Sequence, residues 1–270
     1  MKMRHISAFK QFLTVTYFEL YRHLVRKRVY IMTIILALVI VLPTTVKILL
    51  NVPNPEDPKE FIPGELGFID ILIILGATFF AGDSIVSEYE KRTGYVLFPN
   101  PVKREIIYFG KIVASLIITT IFILVYYVSA FVKTIYYYNT LPYEAWVSLG
   151  YALLYTLAVI GFAYLISSIF KGTLSATLVT FFMLFMIFPI FSNILSLSAI
   201  EPWFILTYTA DIITLVFNPP AERVVKMEVS GFTFYIFYPD FTTSVLVMLA
   251  YAIVTILISL LWFKFKELKE

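Results

Sequence analysis

A chain of 270 residues that is 60% hydrophobic and only 14% charged lies well outside the soluble range of about 45–50% apolar and about 25% charged. That excludes a soluble globular domain. The lack of cysteine also excludes a disulfide framework and a thiolate metal site. The net charge of +3 is small, and its distribution along the chain says more than its sum.

Residues Ala8 to Arg28 predict an amphipathic helix lying in the membrane interface. At about 100° per residue, Phe9, Leu13, Tyr17, Leu20 and Leu24 share one face, while Gln11, Glu19, Arg22 and Arg26 lie opposite. Phe18 and Val25 interrupt the stripe. The plainer alternative is a basic leader that happens to be helical. Six apolar runs then reach the length of about 20 residues that a spanning helix needs. They fall at about 29–50, 66–86, 106–131, 145–170, 173–195 and 244–263. They are helices rather than barrel strands, because no polar residues alternate along them. The polar stretch before the first run extends to Arg28, and the run itself is too long for a signal core. No cleavable signal peptide is therefore expected, and the first span should remain.

Four prolines in "NVPNPEDPKEFIPGE" predict a compact irregular loop after the first span. Residues 196–243 form a longer outer segment. Within it, Pro202 to Phe217 is apolar but short and interrupted by Asp211. This suits a re-entrant or interfacial helix better than a seventh span. After it, Val225, Met227 and Val229 alternate with Lys226 and Glu228, and Ser230-Gly231 is a turn signal. The pattern is that of a β-hairpin, read as a cap over the helices in preference to an outer gate.

With the N-terminus inside, 16 of the 21 Lys and Arg fall on inner segments, as the positive-inside rule requires. An even number of spans puts both basic termini on that side. The expectation is a single all-α polytopic membrane domain over residues 1–270, in the cytoplasmic membrane with both termini cytoplasmic.

The inner segment 87–105 stands apart. Eight of the chain's 39 charges lie between Glu88 and Lys111. The positive-inside rule explains its Lys and Arg, but not the interleaved Glu88, Glu90 and Glu105. The second span is expected to continue as helix to about Arg92 and to stop at Gly94. Asn100-Pro101 should open the next helix. Two helices would then project inward and meet at a bend marked by Gly94, Pro99 and Pro101. This makes it a candidate docking elbow.

The run "GDSIVSEYEKRTGYVLFPNPVKREIIYFGKIVAS" resembles the signature loop of type-2 ABC exporter permeases. The matching positions are Gly82, Asp83, Ile85, Glu88, Glu90, Thr93, Pro101, Lys103, Arg104, Glu105, Gly110 and Lys111. Gly94 after Thr93 and the extra Pro99 depart from the pattern. The resemblance implies a permease subunit that lines the substrate path as a dimer with a second permease chain, identical or different. It also implies coupling to a separate P-loop ATPase that binds ATP and Mg. The coupling residues carried over are Glu88, Glu90, Lys91, Arg92, Thr93, Gly94, Pro101, Lys103, Arg104 and Glu105. The second and fifth spans would line the path, which makes Phe79, Phe80, Asp83, Phe181, Phe185 and Phe188 its candidate residues. For the phenylalanines, helix packing or lipid contact is the plainer reading. For Asp83 it is a structural role near the inner end.

The chain carries no phosphate cradle of its own. Its one Gly-Lys pair, Gly110-Lys111, is followed by Ile, and Glu105 stands where the first Gly is needed. No cofactor and no nucleic-acid partner are expected. A secondary transporter is the alternative, weakened by the near absence of charge within the spans. An intramembrane enzyme is weaker still. Asp83 in "FAGDS" has no carboxylate partner at its depth, and Asp70 is roughly 20 Å further along the same helix. The two histidines, His5 and His23, lie before the first span.

Overall fold

The computed structural model describes residues 7–90, 102–229 and 232–265. Six helices among them are long and apolar enough to cross a membrane. Helix α1 (Ala8–Val25) starts where the Ser7 hydroxyl accepts from the Lys10 amide at 3.3 Å, an N-cap. Arg26 is extended (φ −74°, ψ 142°) and forms a one-residue hinge into α2 (Lys27–Leu49), the first span. The surface helix therefore ends before Arg28, and the first span begins two residues earlier than expected.

The second span comprises α3 (Pro58–Glu65) and α4 (Ile69–Phe80), counted together as Pro58–Phe80. The expected irregular loop is in part this helix. Pro58 sits in the first turn, where no amide bond is lost, and Asp57 caps it by accepting from the Lys59 amide at 2.8 Å. Pro63 takes one hydrogen bond from the helix, that to the Lys59 carbonyl four residues back. That carbonyl instead accepts from the Asn218 side chain at 3.1 Å.

The second span does not continue as helix to Arg92. It stops at Phe80, turns through Ala81–Ile85, and resumes as the short α5 (Val86–Glu90). The third span, α6 (Arg104–Tyr138), is one helix of 35 residues. It is thus about 52 Å long, against a hydrocarbon layer of about 30 Å. It starts at Arg104, after the extended Lys103, and ends in the left-handed Asn139 (φ 55°); the expected helix start at Asn100-Pro101 lies outside the described residues. The fourth span is α7 (Glu144–Ile169).

The fifth span runs as α8 (Thr173–Phe182), a π-helical turn (Met183–Ile187) and α9 (Phe188–Leu197). Pro189 has no amide to give and crowds the carbonyl at Phe185, so the turn before it widens. Two four-residue turns follow, α10 (Leu206–Thr209) and α11 (Ile212–Leu215). They bury Leu206, Ile212 and Ile213 against the fourth and sixth spans. They stand where a single short re-entrant helix was expected, and they do not form a seventh span. Strands β1 (Val224–Val229) and β2 (Phe232–Phe237) pair antiparallel from Val224↔Phe237 to Val229↔Phe232. The sixth span is α12 (Phe241–Phe265).

The fourth span is the most buried of the six, and the first and fifth are the least. The core lies between the second, third, fourth and sixth spans. Hydroxyls bridge its helices: Tyr108 donates to the Ile256 carbonyl at 2.9 Å, and Ser259 to the Tyr164 carbonyl at 2.9 Å. In an apolar medium such bonds and close packing hold helices together, because lipid is as apolar as the side chains.

Six crossings leave two distinct ends. α1, α5 and the start of the third span lie at one, the basic end. The hairpin, the re-entrant turns and α3 lie at the other, the hairpin end.

Candidate functional site

At the basic end the break in the second span is held from three sides. Helix termini leave carbonyls and amides unpaired, and in lipid each must be satisfied by protein. The Phe80 carbonyl accepts from the Ser84 and Ser115 hydroxyls, both at 2.8 Å. The Phe79 carbonyl accepts from Arg28 at 2.9 Å. Beyond the break, the Ile85 and Val86 amides donate to the Ser167 hydroxyl at 3.1 and 3.2 Å. Side chains of the first, third and fourth spans thus hold an interrupted helix in place.

Around this break lies a network of buried charge. Glu88, 1% exposed, is paired with Arg22 at 2.8 Å and with Lys111, also 1% exposed, at 2.7 Å. Glu19 is paired with both of these cations at 2.7 Å. One turn away, Asp83 is held by Arg26 at 3.2 Å and by Arg28 at 2.9 Å. Glu19 and Glu88 balance Arg22 and Lys111, so this four-residue set is neutral.

The network requires α1 to lie against the third span, and Gly110 permits it. A Cβ at Gly110 would sit 2.7 Å from the Val15 side chain. The polar stripe of α1 therefore faces protein, with Glu19 and His23 buried. Phe9, Leu13, Tyr17 and Leu24 of the apolar stripe remain exposed, and so do Phe18 and Tyr21. His23 packs edge-on against Phe80 at 5.6 Å. Burial, with Arg22, Arg26 and Lys111 close by, pushes its imidazole down to about 3, so it stays neutral at ordinary pH.

The two flanks of residues 91–101 are both anchored. Glu90 accepts from the Thr173 amide at 2.8 Å, at the N-terminus of the fifth span, where the helix dipole favours an anion. Tyr89 donates to the Phe263 carbonyl at 3.3 Å. On the other flank Arg104 donates to the Lys264 carbonyl at 2.8 Å, and Glu105 is paired with Lys264 at 3.0 Å. Lys103 is exposed.

Of the candidate elbow residues, Lys91, Arg92, Thr93, Gly94 and Pro101 lie outside the described residues, as does Pro99. Glu88 lies inside the bundle rather than on a docking face, because Arg22 and Lys111 draw it there. The six candidate path residues do not converge. Phe80 is buried between His23 and Phe122, and Asp83 is taken up by two arginines. Phe181 stacks on Phe185 at 5.0 Å, and Phe188 packs against Phe162. Sequence reasoning placed Glu19, Arg22 and Arg26 on the polar face of α1 but gave them no partners. It assigned no role to Ser115 or Ser167.

A cavity of about 300 Å³ opens toward the hairpin end, between the second, fourth and fifth spans and the re-entrant turns. Phe185 is the one candidate path residue that lines it. Asp70, Tyr155, Thr207, Tyr208 and Asp211 line it too. Asp211 is exposed and lines the cavity. The sequence did show both acids as interruptions of apolar runs, which was the available signal, but nothing in it placed them together.

No curated protein matches the chain. The family model described as "ABC-2 family transporter protein" matches residues 13–268, nearly the whole chain. The chain belongs to this family and is a membrane permease of the type-2 ABC transporter class.

Proposed function

We propose that this permease is the membrane-spanning half of an ATP-driven exporter, and that it works as a dimer with a second permease chain. ATP and Mg are bound by a separate P-loop ATPase, which docks on the elbow 87–105 beyond its buried Ser87 and Glu88. The basic end faces the cytoplasm of a cell whose plasma membrane the protein spans. The concentration of Lys and Arg on that side supports this orientation.

The observation that carries the coupling reading is the anchoring of segment 91–101 on both flanks. Glu88 reaches α1 and the third span, and Glu90 reaches the fifth. Tyr89, Arg104 and Glu105 reach the sixth. Asp83 ties the same corner to the first span. A displacement imposed on the segment by a bound motor would pass directly into α1 and the spans, because packed interfaces shift as units rather than deform. The uncovered apolar face of the fifth span, with Phe182, Met186, Ile190 and Phe191 exposed, supports a second chain as its neighbour.

The test is co-purification of the chain with its ATPase from membranes. Lys103→Glu reverses an exposed charge on the elbow and is expected to reduce the retained ATPase several-fold. Lys226→Glu, on the hairpin, is expected to leave it unchanged. Transport by the chain reconstituted without any ATPase overturns the proposal, as does equal retention in the two variants.

A further inference from the structure

The cavity at the hairpin end gathers several unpaired polar groups. Buried polar atoms in native structures nearly always have a hydrogen-bond partner. Among the described residues, eight buried side-chain atoms lack one: five are on Glu19, Arg22, His23 and Thr78, of which Glu19 and Arg22 face each other as an ion pair, and three, the Asp70 Oδ1, the Tyr155 hydroxyl and the Thr207 hydroxyl, belong to residues lining this cavity. Tyr155 is fully buried, so its hydroxyl has no route to solvent except through the cavity. The four most deeply buried acids, Glu19, Glu65, Asp83 and Glu88, are each ion-paired. Asp70 and Asp211 form no ion pair among the described residues, yet they act electrostatically on each other.

Two carboxylates lining one cavity repel, and a cation between them removes the penalty. We propose that this cavity is a binding site for a small organic cation, an ammonium group held by Asp70 and Asp211 with an apolar body against the aromatic wall.

Size and lining favour an organic cation over a metal ion. A volume of about 300 Å³ is some ten times the share of one water, about 30 Å³, and a bare ion would leave most of it unfilled. A hard metal ion also draws about six to eight oxygens into a tight shell, whereas here much of the wall is apolar. The rings of Tyr155, Phe185 and Tyr208 line the space beside the two acids, and aromatic faces attract ammonium groups. The Tyr155 and Thr207 hydroxyls supply the remaining polar contacts. As a statement about cargo this rests on the exporter reading above. As a statement about binding it does not.

The experiment measures binding calorimetrically on the full chain in nanodiscs, without the ATPase. The probe is benzyltrimethylammonium, with the uncharged isostere neopentylbenzene and the inorganic ions Na⁺ and Mg²⁺ as parallel arms. The expected result is saturable binding of the ammonium, weakened at least ten-fold by Asp211→Asn and not competed by either inorganic ion at equal concentration. Asp211→Glu is expected to retain binding, which separates loss of charge from loss of fold. The neutral isostere should show no dependence on Asp211. Four results overturn the proposal: no saturable ammonium binding, binding indifferent to Asp211→Asn, loss of binding in Asp211→Glu with the fold intact, or tight uptake of Na⁺ or Mg²⁺ in place of the ammonium. Any of these leaves the ATPase co-purification result standing. Failure of that co-purification likewise leaves this result standing.

Discussion

The charge network at the basic end and the cavity at the hairpin end treat their acids in opposite ways, although Glu65, also at the hairpin end, is paired with Lys47 and Lys133. At the basic end, Glu19, Glu88, Arg22 and Lys111 close on one another within 2.7–2.8 Å, and Asp83 has two arginines. At the hairpin end, Asp70 and Asp211 share a cavity with no cation beside them among the described residues. A neutral, closely paired set is complete in itself and joins the elements that carry it. An unneutralised pair in open space is incomplete, and something else must complete it. Under the two proposals above, the difference separates a part of the protein that transmits position from one that receives a ligand.

That contrast predicts unequal responses to substitution. The largest effect is expected for Lys111→Met, which leaves Glu19 and Glu88 buried with Arg22 alone. Removing one member of a buried ion set typically costs about 3–5 kcal/mol. Thermal unfolding of the purified protein should show it as a drop of many degrees. Adding Glu88→Gln should recover part of the loss, since the double variant buries less unbalanced charge. A melting temperature within a degree of the parent would show that the network contributes little.

An intermediate effect is expected from His23. Its imidazole is held near 3 in the fold, against about 6.5 in an unfolded chain. Below about pH 6.5 the unfolded state takes up a proton that the folded state refuses, so stability falls with pH from about 6.5 down to about 3. The slope is on the order of 1.4 kcal/mol per pH unit for this one group. His23→Leu should flatten that acid limb in denaturation experiments between pH 6 and pH 4. An unchanged slope would mean that His23 is protonated in the fold.

The smallest effect on stability is expected at the hairpin end. Asp211→Asn removes a carboxylate with no cation partner, so the melting temperature at pH 7 should stay level or rise slightly. A loss comparable to that of Lys111→Met would erase the distinction between the two ends.

Much of the fold was legible from composition and pattern. Runs of about 20 apolar residues, basic flanks and the Val-Lys-Met-Glu alternation predict six helices and the hairpin, because lipid forces each segment to satisfy its own backbone. Breaks were less legible. Prolines read as a loop at 53–63 became in part a capped helix, since Pro58 falls where no amide is needed and Asn218 takes the carbonyl freed by Pro63. The second span broke at Ala81–Ile85 although no proline marks the place. Hydroxyls from distant spans, Ser115 and Ser167, make that break tolerable. Neither serine is distinguishable from others by sequence position.

The same holds for the two sites. The order of elements and the charged elbow pointed to the permease family, and the polar face of α1 was readable as a stripe. Its meaning was not. Glu19 lies 92 positions from Lys111, and the pairing depends on Gly110 admitting α1 close to the third span. The fifth span carries the π turn before Pro189, beside the cavity that Asp70 and Asp211 share. The sequence alone determined which segments enter the membrane and where charge must stay near its surface, because those follow from local hydropathy. Only the tertiary structure decided which charges meet and which are left without partners, because that depends on contacts between residues far apart in the chain.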